Sequence, residues 1–365
     1  MAGDIRPALR VPLLILGFVS LALGVGAGLL RLGWNFPLPA AELAQVHGPL
    51  MVSGFFGTVI GLERAVALAR RWAYAGPLLT GLGGLAAILG APPVAAPALM
   101  SLGSLVLLGA SLRIYLRQRA LFTFTLGAGA LCWSIGNLLW LAGRPIQGAV
   151  DWWIGFLVLT IAGERLELSR FLRPSPTAQR LFAVVLATMA AGIVWSAWDL
   201  PLGGRVLAVG MLALTAWLLR QDVARRTVKS PGLTRYIAVC LLSGYGWLAA
   251  GGAIMLAGGG LEGAGLTYDA ALHALLVGFV FSMVFGHAPI IFPAVVRVTL
   301  PYHPAFYLPL ALLHASLLLR IAGDLLQVSD WRSLGGAFNA VALLAFVLTM
   351  ITAAVRGRRV VGSSA

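Results

Sequence analysis

The sequence predicts an all-α, polytopic membrane protein of about twelve transmembrane helices, arranged as three four-helix units. Three observations predict it: the composition, the spacing of long apolar runs, and the placement of arginine. Of the 365 residues, 60% are hydrophobic and only 10% charged. Soluble domains carry roughly a quarter charged residues. The hydropathy therefore overrides the two or three soluble domains that length alone would suggest.

A helix needs about 20 predominantly apolar residues to cross the hydrocarbon core. Runs of this kind fall at 11–30, 47–69, 74–92, 96–114, 120–142, 151–171, 179–198, 203–221, 234–257, 269–292, 304–322 and 334–355. The first run is too long for the apolar stretch of a signal peptide and reads as a span. Pro92, Pro93 and Pro97 mark a tight turn between the third and fourth. The loops are short, so residues 1–365 read as a single integral membrane domain whose sites must be built from helix faces. The 45 glycines suit close helix packing in lipid. Cys132 and Cys240 are far apart in apolar surroundings, with no CxxC or zinc spacing, and read as small core residues.

Arginine tests this scheme. The formal charge of +14 is almost entirely arginine, with Lys229 the only lysine. With an even number of spans both termini share a side, and that side collects 21 of the 26 cations, including Arg170, Arg173, Arg356, Arg358 and Arg359. The other side holds Arg31, Arg144, Arg205, Arg320 and Arg332, together with the acids Glu42, Asp151, Asp199, Glu262, Asp269, Asp324 and Asp330. Cytoplasmic loops carry the excess of Lys and Arg, so both termini are expected in the cytoplasm, the membrane being a bacterial inner (plasma) membrane. The basic charge belongs to topology and anionic headgroups; no nucleic-acid module is present.

A repeat runs through spans two, six and ten. Gly54-Phe55 is followed after seven residues by Glu63-Arg64, and Gly155-Phe156 after seven residues by Glu164-Arg165. Gly278-Phe279 is followed after seven residues by His287. Each interval covers four spans, giving approximate units at 11–114, 120–221 and 234–355. The cluster Glu63, Arg64, Glu164 and Arg165, with Glu167 and His287, reads as an ion-pair lock between repeats.

Ionisable residues inside spans are costly and usually functional. His47 and His273 both lie near the start of their spans, at one level. If spans two and ten are neighbours, two imidazoles can face each other across a planar haem, leaving no open iron position. At about 100° per residue, His47 shares its stripe with Met51, Gly54, Thr58, Gly61 and Ala65, a small-residue face with room for a cofactor or a close partner helix. His273 shares its stripe with Val277, Val280, Val284 and His287. His47 also precedes Gly48-Pro49, a natural helix start. His314, near mid-span, and His287 are reserve ligands; His303, between prolines, reads as solvated.

The run His47-Gly48-Pro49-Leu50-Met51-Val52-Ser53-Gly54-Phe55 fits HxxxMxxGF and resembles the early histidine motif of the NnrS membrane proteins. His273-Ala274-Leu275-Leu276-Val277-Gly278, followed by Met283, resembles their later HALxxG stretch. The resemblance implies twelve spans, haem and copper, and a link to nitric-oxide metabolism and nitrosative stress. Met51, Gly54 and Gly278 would then lie beside the cofactor that His47 and His273 ligate. A more distant resemblance is to the catalytic subunit of haem-copper oxidases, with haem ligands on helices two and ten. The sequence departs from both patterns. Pro49 stands where a second NnrS-like histidine is usual, and spans six and seven lack the histidines that ligate copper in the oxidases. What is implied is one low-spin b-type haem, with copper short of ligands and turnover undecided, and an electron donor as partner. The alternative is a cofactor-free transporter or channel; a third reading is an assembly partner for another membrane complex.

Overall fold

The computed structural model describes residues 4–34, 42–172, 174–261, 263 and 265–362, with only the backbone for Glu42 and residues 359–362. Arg173 and Glu262, two of the loop charges counted above, lie outside the described residues, as do the side chains of Glu42 and Arg359. Among the described residues there is no β-strand.

The chain begins with α1 (Pro7–Arg31), which opens on Pro7 at the position where a missing N–H costs nothing. The following helical runs are α2 (His47–Leu68), α3 (Ala75–Ile88), α4 (Ala95–Arg117), α5 (Leu121–Leu141) and α6 (Gln147–Ser169). Then come α7 (Pro176–Trp195), α8 (Leu200–Gln221), α9 (Gly232–Ala257), α10 (Leu266–Val296), α11 (Pro304–Leu325) and α12 (Ser329–Gly362). Ten of these are long and apolar enough to cross a membrane, the pattern of a multi-pass membrane protein. The two that fall short do so for different reasons. α3 has 14 residues, about 21 Å of helix. α6 is long enough but carries Asp151, Glu164, Arg165 and Glu167. Large apolar side chains such as Leu112, Leu131, Leu318 and Leu344 are about half exposed or more, as lipid-facing residues are.

Contacts divide the chain into two compact units, Met1–Gly163 and Glu164–Ala365. In the first, α1 packs on α2 and α3, α3 on α4, and α4 on α5. The contact of α1 with α2 is antiparallel and close. Cβ atoms placed on Gly28, Gly24 and Gly17 would meet His47, Met51 and Thr58 in turn, and one on Gly54 would meet Ser20. The small-residue stripe of α2 therefore receives a partner helix, α1. In the second unit α7 pairs with α8, α8 with α9, α9 with α10, α10 with α11, and α11 with α12.

α2 and α10 are not α-helical throughout. Leu50–Gly57 and Ala274–Val280 are π-helical, with hydrogen bonds lengthened to i→i+5. Each segment begins within three residues of a motif histidine and contains the Gly-Phe pair of its span. Both helices also end on a non-glycine residue in the left-handed region, Ala69 at φ 51° and Arg297 at φ 55°. The wider π turn changes the angle per residue, so the α-helical phase does not carry through residues 274–280. The expected common stripe of His273 and His287 therefore does not follow from their spacing.

Candidate functional site

His47 sits at the start of α2 against α1. Its Nδ1 donates to the carbonyl oxygen of Gly24 at 2.7 Å, and its ring covers Gly28, where a Cβ would lie 2.9 Å from Cε1. A carbonyl only accepts, so this contact puts the proton on Nδ1. His273, about two turns into α10, bonds within its own helix instead: its Nδ1 donates to the carbonyl of Asp269 at 2.8 Å and lies 3.4 Å from the Asp269 carboxylate. His287 donates Nδ1 to the carbonyl of Met283 at 2.7 Å. This tautomer, with Nδ1–H engaged and the lone pair on Nε2, is the one in which metal-ligating histidines are usually held.

His314 is placed differently. Its Nδ1 accepts the indole N–H of Trp247 at 2.9 Å, so its proton is on Nε2, which donates to Ser243 Oγ at 3.0 Å. Both ring nitrogens are committed to α9, and this reserve ligand has no lone pair to offer a metal. Trp247 in turn lies over Gly278, where any Cβ would strike the indole. Gly278, like Met51 and Gly54, thus lies at a helix–helix contact. His303 is exposed and accepts the backbone N–H of Ala305 as a turn cap.

Around Asp269 the second unit builds an ionic centre that the sequence reading did not assemble. Arg320 donates to Asp269 Oδ2 from Nη2 at 3.0 Å and from Nε at 3.3 Å. Arg332 lies 3.6 Å from Asp269 and 2.9 Å from the buried Asp324. α10, α11 and α12 meet there, with His273 one turn below. The signal for it was present: Arg320 and Arg332 are two of the five arginines on the sparse side, and both acids share that side.

Of the residues expected to form the ion-pair lock, Arg165 and Glu167 have partners within the second unit. Arg165, nearly fully buried, lies 3.6 Å from Asp222, whose carboxylate also accepts Tyr245 O–H at 2.9 Å and the N–H of Ala224 at 2.7 Å. His287 stands within electrostatic reach of Arg165. Glu167 pairs with Arg170 at the surface, 3.3 Å apart. Glu63 and Arg64 belong to the first unit, and Glu164 and Arg165 to the second.

The first unit holds a second unanticipated feature, a buried network on the π segment of α2. Ser53 Oγ donates to Asn137 Oδ1 at 2.8 Å and accepts the indole N–H of Trp133 at 2.9 Å. Asn137 Oδ1 also accepts Trp153 Nε1–H at 3.0 Å, and its amide donates to the carbonyl of Met100 at 3.2 Å. Trp133 stacks on Phe156 and covers Gly57, where a Cβ would collide with the indole. A lone Asn within an apolar span was the available clue, since a polar side chain in hydrocarbon needs partners.

Among the described residues no three or more His, Cys, Asp or Glu side chains gather into a metal-binding group. Haem iron brings ring nitrogens of its own and needs only one or two imidazoles; His47 belongs to the first unit and His273 to the second. A search of curated proteins finds no match to the sequence. A family model does match over residues 10–355, nearly the whole chain, and the protein belongs to that family, the one described as "Domain of unknown function (DUF8744)".

Proposed function

We propose that this chain is an NnrS-like, haem-binding integral membrane protein with His47 and His273 as iron ligands, acting in electron transfer or nitric-oxide metabolism. The observation that carries the reading is the shared setting of the two imidazoles: each donates Nδ1–H to a backbone carbonyl at 2.7–2.8 Å, and each is followed by a π-helical segment. Such segments are frequent at functional sites. The common features of α2 and α10 also support three four-helix units in which these helices are equivalent. In that arrangement α3 and α6 complete twelve spans and both termini are cytoplasmic. Bound haem would supply one-electron redox chemistry. The protein's part is to fix ring orientation, through Gly24 for His47 and through Asp269 for His273, and to raise the basicity of His273 with the carboxylate beside its Nδ1.

The test is an absorption spectrum of the detergent-purified protein, oxidised and dithionite-reduced, after haem-supplemented expression. A Soret band with sharp reduced bands, lost in His47→Ala and in His273→Ala, is the expected result. A colourless protein of native elution volume ends the proposal. A second reading, cofactor-free ion transport, draws on the ionisable side chains of Asp269, Arg320, Arg332 and Asp324 within or beside spans. Proton-coupled flux in liposomes that Asp269→Asn abolishes would favour it.

A further inference from the structure

His47, His273 and His287 all donate Nδ1–H to a backbone carbonyl, but they find it in different ways. His273 and His287 each reach the residue four positions earlier in α10, Asp269 and Met283. That acceptor comes with the helix and needs no second element. His47 stands where α2 begins, and the short helix before it, Glu42–Gln45, breaks off at Val46, with φ −97° and ψ 11°. Its acceptor comes instead from α1, at Gly24, 23 residues earlier in sequence.

Inside α1 the carbonyl of residue 24 already receives the N–H of residue 28. A carbonyl oxygen has a second lone pair, but a helical side chain lies over the turn N-terminal to its own Cα. Any side chain at position 28 would therefore stand over the Gly24 oxygen. Gly28 has none, and the His47 ring fills the space. A Cβ there would lie 2.9 Å from Cε1, 3.1 Å from Nδ1 and 3.6 Å from Nε2. The nitrogen that makes the bond is thus among the first atoms a side chain would displace. Gly17, further along the same contact, is looser: a Cβ there would meet Thr58 at 3.4 Å.

We infer that Gly28 is a positioning residue for His47: by leaving the Gly24 carbonyl uncovered, it sets the imidazole in the form with Nδ1–H and the lone pair on Nε2. α1 and α2 both belong to the first unit. The proton position of His47 is therefore conditional on the docking of α1, whereas His273 and His287 carry theirs within α10. Only the consequence for iron rests on the haem reading above; the tautomer does not.

The experiment is solid-state nitrogen NMR of the full-length protein, carrying isotope-labelled histidine, in lipid bilayers without added haem. The His47 signals are those that disappear in His47→Ala. Wild type is expected to show His47 protonated on Nδ1. In Gly28→Ala that signal should be lost and the proton should appear on Nε2, while Gly17→Ala should leave the wild-type pattern. A wild-type His47 protonated on Nε2 overturns the inference, and so does a Gly28→Ala protein that keeps the Nδ1–H signal. If Gly28→Ala fails to fold, the double variant with His47→Ala decides: removing the ring gives the new methyl room and should restore folding. A double variant that also fails places the clash elsewhere and overturns the role of Gly28. In haem-supplemented protein Gly28→Ala should weaken haem binding about 10–100-fold, the usual cost of losing a partner that orients a ligating imidazole. A colourless wild type ends the haem reading alone, and the nitrogen spectrum still decides the tautomer.

Discussion

Asn137→Leu tests the buried network of the first unit. The replacement is close in volume and apolar, so its cost comes from hydrogen bonding. Asn137 Oδ1 accepts from both Ser53 and Trp153, and its loss leaves the Trp153 indole N–H and the Ser53 hydroxyl without that acceptor. An orphaned buried donor costs about 1–3 kcal/mol by soluble-protein measurements. Interhelical hydrogen bonds in membranes average only about 0.6 kcal/mol, because the membrane-inserted reference state also finds partners. The membrane value governs here, so two donors imply roughly 1–2 kcal/mol. At about 2–4 °C per kcal/mol for a large domain, the melting point should fall by roughly 2–8 °C. Cys132, buried on the same helix, supplies the assay: a maleimide dye reports its exposure on heating, in a Cys240→Ala background. Ser53→Ala combined with Asn137→Leu should cost less than the two changes summed, since they share a bond. A melting point within about 1 °C of the parent protein, or strict additivity, would refute the network as a unit.

Three further predictions concern other contacts. Gly54→Ala places a Cβ within 2.9 Å of Ser20 and should cost about 1–3 kcal/mol through overpacking. Ser20→Gly should restore most of it; failure of that rescue in the same melt would show that α1 does not set the limit. Asp269→Asn strips Arg320 of its carboxylate and should destabilise by about 3 kcal/mol. A Soret band, where haem binds, should persist because the Asp269 carbonyl still orients His273, but it should shift with the loss of the carboxylate beside Nδ1. Burial, together with donation to Asp4 at 2.5 Å, raises Tyr74 above the usual phenol range. A phenol whose folded value is raised lends stability that is complete below about pH 10 and lost as pH climbs through the folded value. Alkaline melts should therefore show a loss that Tyr74→Phe removes; an identical profile in that variant would exclude this residue as the cause.

The helical positions were legible because apolar runs of span length leave few alternatives, and even the short α3 lies inside its expected run. The small face of α2 was equally plain, but two occupants fitted it. Only the matching glycines of α1, 19 to 41 residues earlier in sequence, decide for a partner helix. The π segments were not legible. Whether a backbone bond closes at i→i+4 or i→i+5 depends on what presses on the turn. Here Trp133, from another helix, lies against Gly57 of the α2 segment, and Trp247 lies against Gly278 of the α10 segment. Stripe arguments made at a fixed α-helical angle do not by themselves carry across such segments: in α2 the contacts with α1 keep His47, Met51, Gly54 and Thr58 on one face, whereas for His273 and His287 spacing alone does not establish one.

The ionic centre shows the opposite case, a signal that was visible but filed as exception. Positive charge on the sparse side of a membrane protein opposes the topology bias, so each such arginine requires a local reason. For Arg320 and Arg332 the reason is Asp269 and Asp324, which reach them across 51 residues in one pair and within a single hairpin in the other. Asp269 then lies beside His273, so the charges that hold α10, α11 and α12 together also govern the imidazole proposed to bind iron. If that proposal is correct, Arg320→Gln should change the spectrum or potential of the haem through Asp269 without touching it. If the centre is structural alone, the same change should alter stability and leave the spectrum where it was. The two roles separate because a carboxylate freed from arginine accepts more strongly from imidazole, an effect that packing loss does not produce.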